Sequence, residues 1–108
     1  MAEAILVYIT HDDADKAKAL GRALVEERLA ACANFFGSMT PIYRWEGQLC
    51  GGQEVVLIAK TRASLLDELT EFVQARHDYE CPCVVALPVM GGNPAFLNWI
   101  VEETRDPR

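Results

Sequence analysis

The sequence has few of the features that nucleic-acid-binding or membrane proteins need. Its 10 Lys and Arg residues are outnumbered by 16 Asp and Glu residues, which gives a formal net charge of −6, and no run of basic residues occurs. An acidic chain repels phosphate groups, so nucleic acid is not an expected partner. No apolar stretch approaches the roughly 18 to 20 residues that span a bilayer, so we expect no membrane partner either.

A recognisable secretory signal is also missing from the sequence. The first residues, MAEAILVYITHDD, lack the basic region and the long apolar core of such a signal, so we expect a cytoplasmic protein. The four cysteines, Cys32, Cys50, Cys81 and Cys83, should then be thiols in a reducing compartment. A bridge between Cys81 and Cys83 would in addition be strained, because these residues lie so close in sequence.

What the sequence does contain is enough for one domain. The 108 residues show no linker, low-complexity tract or internal repeat, and 51% of them are hydrophobic, which suffices for a core. We therefore predict a single domain over residues 1–108.

Apolar periodicity and turn residues predict four strands and three helices. The strands are AILVYIT (4–10), CANFFGSMTPIYRWEGQ (32–48), QEVVLIAKTR (53–62) and CVVALPVM (83–90). The helices are expected within residues 11–31, 64–77 and 91–105, with caps at Asp12 or Asp13, at Ser64 and at Asn93. This order is that of an α+β, ferredoxin-like βαββαβ sandwich with an extra C-terminal helix. The second and third strands should form a long hairpin, turning at EGQ or at CGG.

The predicted strands are apolar on both faces. A sheet with helices on one side should alternate with polar residues on the other. The first, third and fourth strands instead contain uninterrupted apolar runs at residues 4–9, 55–59 and 83–90. One chain cannot cover the second face, so we predict a homo-oligomer that packs sheet against sheet. The alternative is that the last helix covers part of that face.

Six blocks, in this order, resemble the CutA divalent-cation tolerance family. They are RLAACAN (28–34), IYRWEG (42–47), EVVLIAKTR (54–62), HDYECP (77–82), ALPV (86–89) and GNPAFLNWIVEETR (92–105). The resemblance implies a ferredoxin-like fold and a compact homotrimer with its sheets turned inward. It also implies a role in the response to copper and other divalent metals, through copper binding in some members or through regulation like that of the architecturally similar PII proteins.

The stretch HDYECPC (77–83) offers several candidate metal ligands. The resemblance gives the family form as His-Pro-Tyr-Glu-x-Pro-Glu, so Cys81 and Cys83 are departures from it. Residues two apart on a strand point to the same side, so these thiols could share Cu(I) or zinc. The copper ligands described for the family include a His pair, of which this chain keeps His77, and His11 is a candidate substitute. The predicted ligands are thus His11, His77, Cys81 and Cys83; the alternative is ordinary packing.

A second candidate site surrounds Lys60, which interrupts an apolar strand. A buried lysine needs an acid or a ligand anion, and Glu80 is a plausible acid. Trp45 and Tyr79, with Trp99, could form the walls of a cleft around them. We predict a ligand pocket between subunits, lined by Lys60, Tyr79, Glu80 and Trp45. The alternative is a structural salt bridge with aromatic packing at the trimer seam.

Catalytic motifs are missing from the sequence. No Gly-rich nucleophile elbow or His-Glu metal motif occurs. Cys81 or Cys83 with His77 and Asp78 would form a triad only from neighbouring positions, whereas triad members usually come from separate elements. We therefore predict a non-enzymatic, homotrimeric protein of divalent metal tolerance with no obligatory cofactor. The alternatives are a thiolate protein that buffers copper or zinc directly, and a small thiol enzyme.

Overall fold

A computed structural model describes residues 3–108 of the chain. These residues form six strands, three α-helices and one 3-10 turn. In chain order they are β1 (Ala4–His11), α1 (Ala14–Glu26), β2 (Cys32–Met39), β3 (Tyr43–Trp45), β4 (Gln48–Cys50), β5 (Glu54–Arg62), the 3-10 turn (Ala63–Leu65), α2 (Leu66–Arg76), β6 (Val84–Pro88) and α3 (Pro94–Glu102). Within residues 3–108, no helix is both long and apolar enough to cross a membrane.

The main sheet is antiparallel, with strand order β2-β5-β1-β6. β1 lies at its centre, and Val7 pairs with Ala59 of β5 on one side and with Ala86 of β6 on the other. This order confirms the predicted α+β, ferredoxin-like fold with an added C-terminal helix.

The core lies between the helices and one face of this sheet. Val7 and Ile9 of β1, Leu24 of α1, and Leu69 and Val73 of α2 are almost completely buried. Alternate residues of the strands point to the opposite face. On that open face Phe36, Val85 and Leu87 are 52%, 53% and 47% exposed. α3 therefore leaves much of the apolar open face uncovered in the single chain.

Two of the predicted helix caps are confirmed and one is wrong. Asp13 caps α1 by accepting from the backbone N–H of Lys16, and Asn93 caps α3 with Pro94 at the first helical position. Ser64 does not cap α2, since it lies inside the 3-10 turn, and no side chain caps that helix. A capping residue normally has an extended backbone conformation just before the first turn of the helix. Residues 63–65 instead form a 3-10 turn, so Ser64 cannot take this position.

The long second strand is shorter than predicted. β2 ends at Met39, and the chain then passes Pro41 before β3 pairs with β4 in a separate two-stranded ribbon. Pro41 has no N–H to continue the ladder, which is why the strand divides here. The ribbon turns at Glu46 and Gly47, whose φ angles are 50° and 78°, so the predicted turn at EGQ is confirmed. The predicted pairing of β2 with the strand at residues 54–62 is also confirmed.

Candidate functional site

A cavity of about 560 Å³ opens between the β3 ribbon, the ends of β1 and β5, and the segment before β6. Its walls combine three kinds of side chain. They are the aromatic rings of Tyr8, Tyr43, Trp45 and Tyr79, the carboxylates of Glu54 and Glu80, and the sulfur atoms of Met39, Cys81 and Cys83. The structure thus brings the predicted residues Trp45, Tyr79, Glu80, Cys81 and Cys83 to a single cavity.

Tyr79 is fixed at both of its ends. Its hydroxyl donates to Glu54 Oε2 at 2.6 Å, and its backbone N–H donates to His77 Nδ1 at 3.0 Å. Burial raises the pKa of Tyr79 above its usual range, and the hydrogen bond to Glu54 raises it further. The phenol therefore stays protonated and rigid, and it holds one oxygen of the Glu54 carboxylate in the cavity wall.

His11 and His77 stack behind Tyr79, with ring centroids 4.1 Å apart. His77 Nδ1 accepts from Tyr79, so its Nε2 carries the proton and donates to the Thr10 carbonyl at 2.7 Å. His11 Nδ1 accepts from the backbone N–H of Asp13 at 3.0 Å. Burial lowers the pKa of His11, and the neighbouring His77 lowers it further. Both nitrogens of His77 and one of His11 therefore already have partners.

The four predicted metal ligands divide into two groups. Cys81 and Cys83 line the cavity, whereas the two histidines lie behind it and are engaged by the backbone. Across residues 3–108, no three or more His, Cys, Asp and Glu side chains are close enough together to hold a metal ion. Burial raises the pKa of Cys83, which favours its neutral thiol at neutral pH. All four cysteines are free.

Lys60 does not belong to this cavity. Within residues 3–108 of the single chain, its Nζ donates to Asn34 Oδ1 on the neighbouring strand and forms no ion pair with Glu80, so the predicted pocket between subunits stays a prediction. Lys60 is six residues from Glu54 along β5, or roughly 20 Å at the rise of a strand, and Glu80 lies at the Glu54 end. Trp99 is likewise elsewhere, with its ring 5.3 Å from that of Phe96 on α3.

Four residues that line the cavity were not predicted from the sequence: Tyr8, Met39, Tyr43 and Glu54. A signal existed for Tyr8, because the alternation along β1 puts this aromatic residue on the face opposite to the buried Val7 and Ile9. The hydroxyl of Tyr8 reaches Met39 Sδ at 3.3 Å across the sheet. Glu54 carried no signal beyond its place at a strand start, since its partner Tyr79 is distant in sequence.

Fold and cavity together define a class of protein: a small ferredoxin-like domain with a ligand-sized cavity beside its sheet. Residues 5–103 match the sequence family described as CutA1 divalent ion tolerance protein. The chain belongs to this CutA1 family.

Relatives in several organisms support this assignment. The divalent-cation tolerance protein CutA of Thermus thermophilus is 41% identical over 104 residues, which are 96% of this chain and 99% of that protein. The chloroplastic protein CutA of Arabidopsis thaliana is 43% identical over 94% of this chain. The chain spans only 56% of the length of the Arabidopsis protein and 55% of a mouse relative.

Solved structures show the same architecture. The Thermus thermophilus protein superimposes with a TM-score of 0.92 at 42% identity, covering 94% of this chain and 99% of that one. CutA1 from Oryza sativa gives a TM-score of 0.94 at 43% identity, covering 97% and 96%.

Proposed function

We propose that this protein acts in tolerance to divalent metal ions as a non-enzymatic homotrimer that binds a ligand in the cavity beside Tyr79. The observation that carries the proposal is the cavity itself, which gathers five of the eight residues predicted to bind a ligand or metal. Family membership supports the metal-related role. Direct binding of copper is one way to fulfil it, and regulation through a bound ligand, as in PII-like proteins, is the other.

Direct binding of a soft metal is supported by sulfur. Cys81, Cys83 and Met39 line the same cavity, and thiolates and thioethers select Cu(I) over harder ions. A metal would stabilise the ionised form of Cys83, whose own environment favours the thiol. We therefore expect binding to release protons and to strengthen as the pH rises.

Three features support a trimer that is cytoplasmic and not an enzyme. The exposed apolar residues of the open face, Phe36, Val85 and Leu87, suit burial against other copies of the chain. A nucleophilic cysteine is activated by a lowered pKa, whereas burial raises the pKa of Cys83. Both ring nitrogens of His77 form hydrogen bonds with the backbone, so this side chain is not free to act as a base for a cysteine. The free thiols suit a reducing compartment.

The deciding experiment is a titration of the reduced protein with Cu(I), Cu(II) and Zn(II), with the mass of the assembly followed throughout. We expect Cu(I) to bind at one equivalent per subunit and the Cys81→Ser/Cys83→Ser double variant to lose that binding. Cys50→Ser is the matched control, because Cys50 is a free thiol that does not line the cavity. Weak binding without a fixed stoichiometry would exclude direct metal handling and leave the regulatory form of the proposal.

A further inference from the structure

The charged side chains that line the cavity are carboxylates. Glu54 and Glu80 contribute carboxylates to its walls, and no Lys or Arg is among its lining residues. The four ion pairs formed within residues 3–108 all involve other groups. Two carboxylates facing one cavity without a basic partner favour a cation as its occupant, and the net charge of −6 adds to that attraction.

Glu54 is held in place for such an occupant. One of its oxygens accepts from the Tyr79 hydroxyl at 2.6 Å, which leaves the other oxygen available to a ligand. Tyr79 is fixed in turn by its hydrogen bond to His77. The carboxylate is therefore positioned before a ligand arrives, which lowers the entropic cost of binding.

Beside the carboxylates and the sulfur atoms, much of the wall is aromatic, which a bare metal ion does not require. The aromatic contacts found within residues 3–108 pair none of the rings of Tyr8, Tyr43 and Trp45 with another ring. All three rings line the cavity, and those of Tyr43 and Trp45 are 48% and 45% exposed. Aromatic faces attract organic cations through the ring quadrupole, and several of them around one space form the cage that recognises ammonium groups.

We propose that this cavity binds an organic ammonium ion, an amine or quaternary ammonium group carried on an apolar or aromatic body. The charged group lies between the Glu54 and Glu80 carboxylates and the face of Trp45, and the apolar body lies against Ile42 and Tyr43. This inference rests on the proposed function only in using the same cavity. A volume of about 560 Å³ accommodates such a molecule with ease.

The test uses a reporter that the chain already provides. Of its two tryptophans, Trp45 lines the cavity and Trp99 does not. In a Trp99→Phe background the fluorescence therefore reports the cavity alone. Benzyltrimethylammonium is titrated against this protein, with benzyl alcohol as the neutral probe and benzoate as the anionic probe of similar shape.

We expect a saturable change with the ammonium probe and at least about tenfold weaker binding of the other two, which corresponds to a cation contribution of roughly 1.4 kcal/mol. Glu80→Gln and Glu54→Gln remove the charges but keep hydrogen-bonding amides, and each should weaken binding about three- to tenfold. Glu71→Gln, an exposed change on α2, is the matched control and should leave binding unaltered.

Three results would overturn the inference. Benzyl alcohol that binds as tightly as the ammonium probe would show an apolar cavity without cation selectivity. No saturation by about 10 mM would show that no ammonium site exists. Trp45 is 45% exposed in the single chain, so acrylamide should quench its fluorescence in the protein without ligand. If it does not, a second copy of the chain fills the cavity. The first two results leave Cu(I) binding by Cys81 and Cys83 unaffected, so the metal titration judges the proposed function separately from them. The third would remove the cavity itself and would therefore count against ligand binding there in both proposals.

Discussion

At the scale of single residues, buried polar groups in this protein have defined partners. Within residues 3–108, no buried side-chain nitrogen or oxygen lacks a hydrogen bond. Arg62 shows how this is achieved, since its guanidinium donates to the hydroxyl and the carbonyl of Thr104, each at 2.9 Å. The carbonyls and hydroxyls that end α3 are thereby joined to the central sheet. A change that removes one buried partner should cost more than the same change at a surface.

Thr61 offers a direct test of this rule. Its side chain is completely buried, and its hydroxyl donates to the Leu29 carbonyl at 2.7 Å. Thr61→Val keeps the shape but removes this donor, so we expect the free energy of unfolding to fall by about 1–3 kcal/mol. Urea unfolding at a fixed protein concentration measures it. Thr70→Val is the control, because its hydroxyl donates to the Leu66 carbonyl within the same helix. An equal fall in the free energy of unfolding for both variants would contradict the argument.

The raised pKa of Tyr79 predicts how the free energy of unfolding changes at alkaline pH. Its folded pKa is raised above the ordinary value of 10.0 by burial and by Glu54. Above pH 10 the unfolded chain therefore releases this proton while the folded chain keeps it, so stability is full below pH 10 and falls as the pH rises further. By about pH 11 the loss should approach 1.4 kcal/mol.

Unfolding at several pH values between 9 and 11 tests this prediction. Tyr79→Phe should lack this part of the alkaline decline, whatever its stability at neutral pH. Tyr43→Phe, a matched change at a ring that is 48% exposed, should decline as the natural protein does. Equal alkaline slopes for the natural protein and Tyr79→Phe would show that the phenol has no such role.

At the scale of elements, local patterns were enough for most of the fold. Three features depend only on residues close in sequence. They are the apolar spacing of α1, the capping residues Asp13 and Asn93, and the turn at Glu46–Gly47. The wrong cap at Ser64 and the division of the second strand at Pro41 also have local causes, whereas the partners of single side chains depend on contacts distant in sequence. Lys60 is satisfied by Asn34, 26 residues away, and the sequence contained no sign of which partner it would choose. The cavity was predictable in part, because Tyr79 to Cys83 is one stretch, whereas Glu54 joins it only through folding.

Gly21 sets how closely α1 approaches the sheet. A Cβ at this position would lie 2.9 Å from Leu57 Cδ1 and 3.5 Å from Ala33 Cβ. Gly21→Val should therefore destabilise the protein by about 1–3 kcal/mol through overpacking. Gly21→Ala should be close to neutral, since the gain of about 1 kcal/mol in helix propensity offsets a smaller displacement of Leu57. Thermal or urea unfolding gives both values.

The control for Gly21 is on the same helix. Ala19 is exposed, so Ala19→Val tests the helix propensity of valine without contact with the sheet. We expect it to cost about 0.5 kcal/mol, well below the cost of Gly21→Val. If the two valine variants are equally destabilised, the close approach of α1 to Leu57 does not limit packing.

At the scale of the whole molecule, one apolar face of the sheet stays uncovered in the single chain. Strands that are apolar on both faces have helices on only one side, and the open face leaves Val85, Leu87 and Phe36 about half exposed. When copies assemble around a rotation axis, each copy can bury this face against its neighbours. The cavity lies beside this sheet, with Tyr8 and Thr10 of β1 among its lining residues, so assembly and ligand binding should influence each other.

The open face predicts that copies of the chain associate, and the proposed function takes the assembly to be a trimer. Light scattering coupled to gel filtration should give the natural protein the mass of three chains of 12.0 kDa. Val85→Glu puts a charge without a partner into the proposed interface, so this variant should elute as a single chain. Val25→Glu is the matched control on α1, the helix that covers the other face of the sheet; the residue is 37% exposed, and the variant should remain assembled. If Val85→Glu remains assembled, the contact between copies lies elsewhere, and Phe96 and Trp99 of α3 are the next residues to change. If the natural protein itself elutes as one chain, the trimer is refuted.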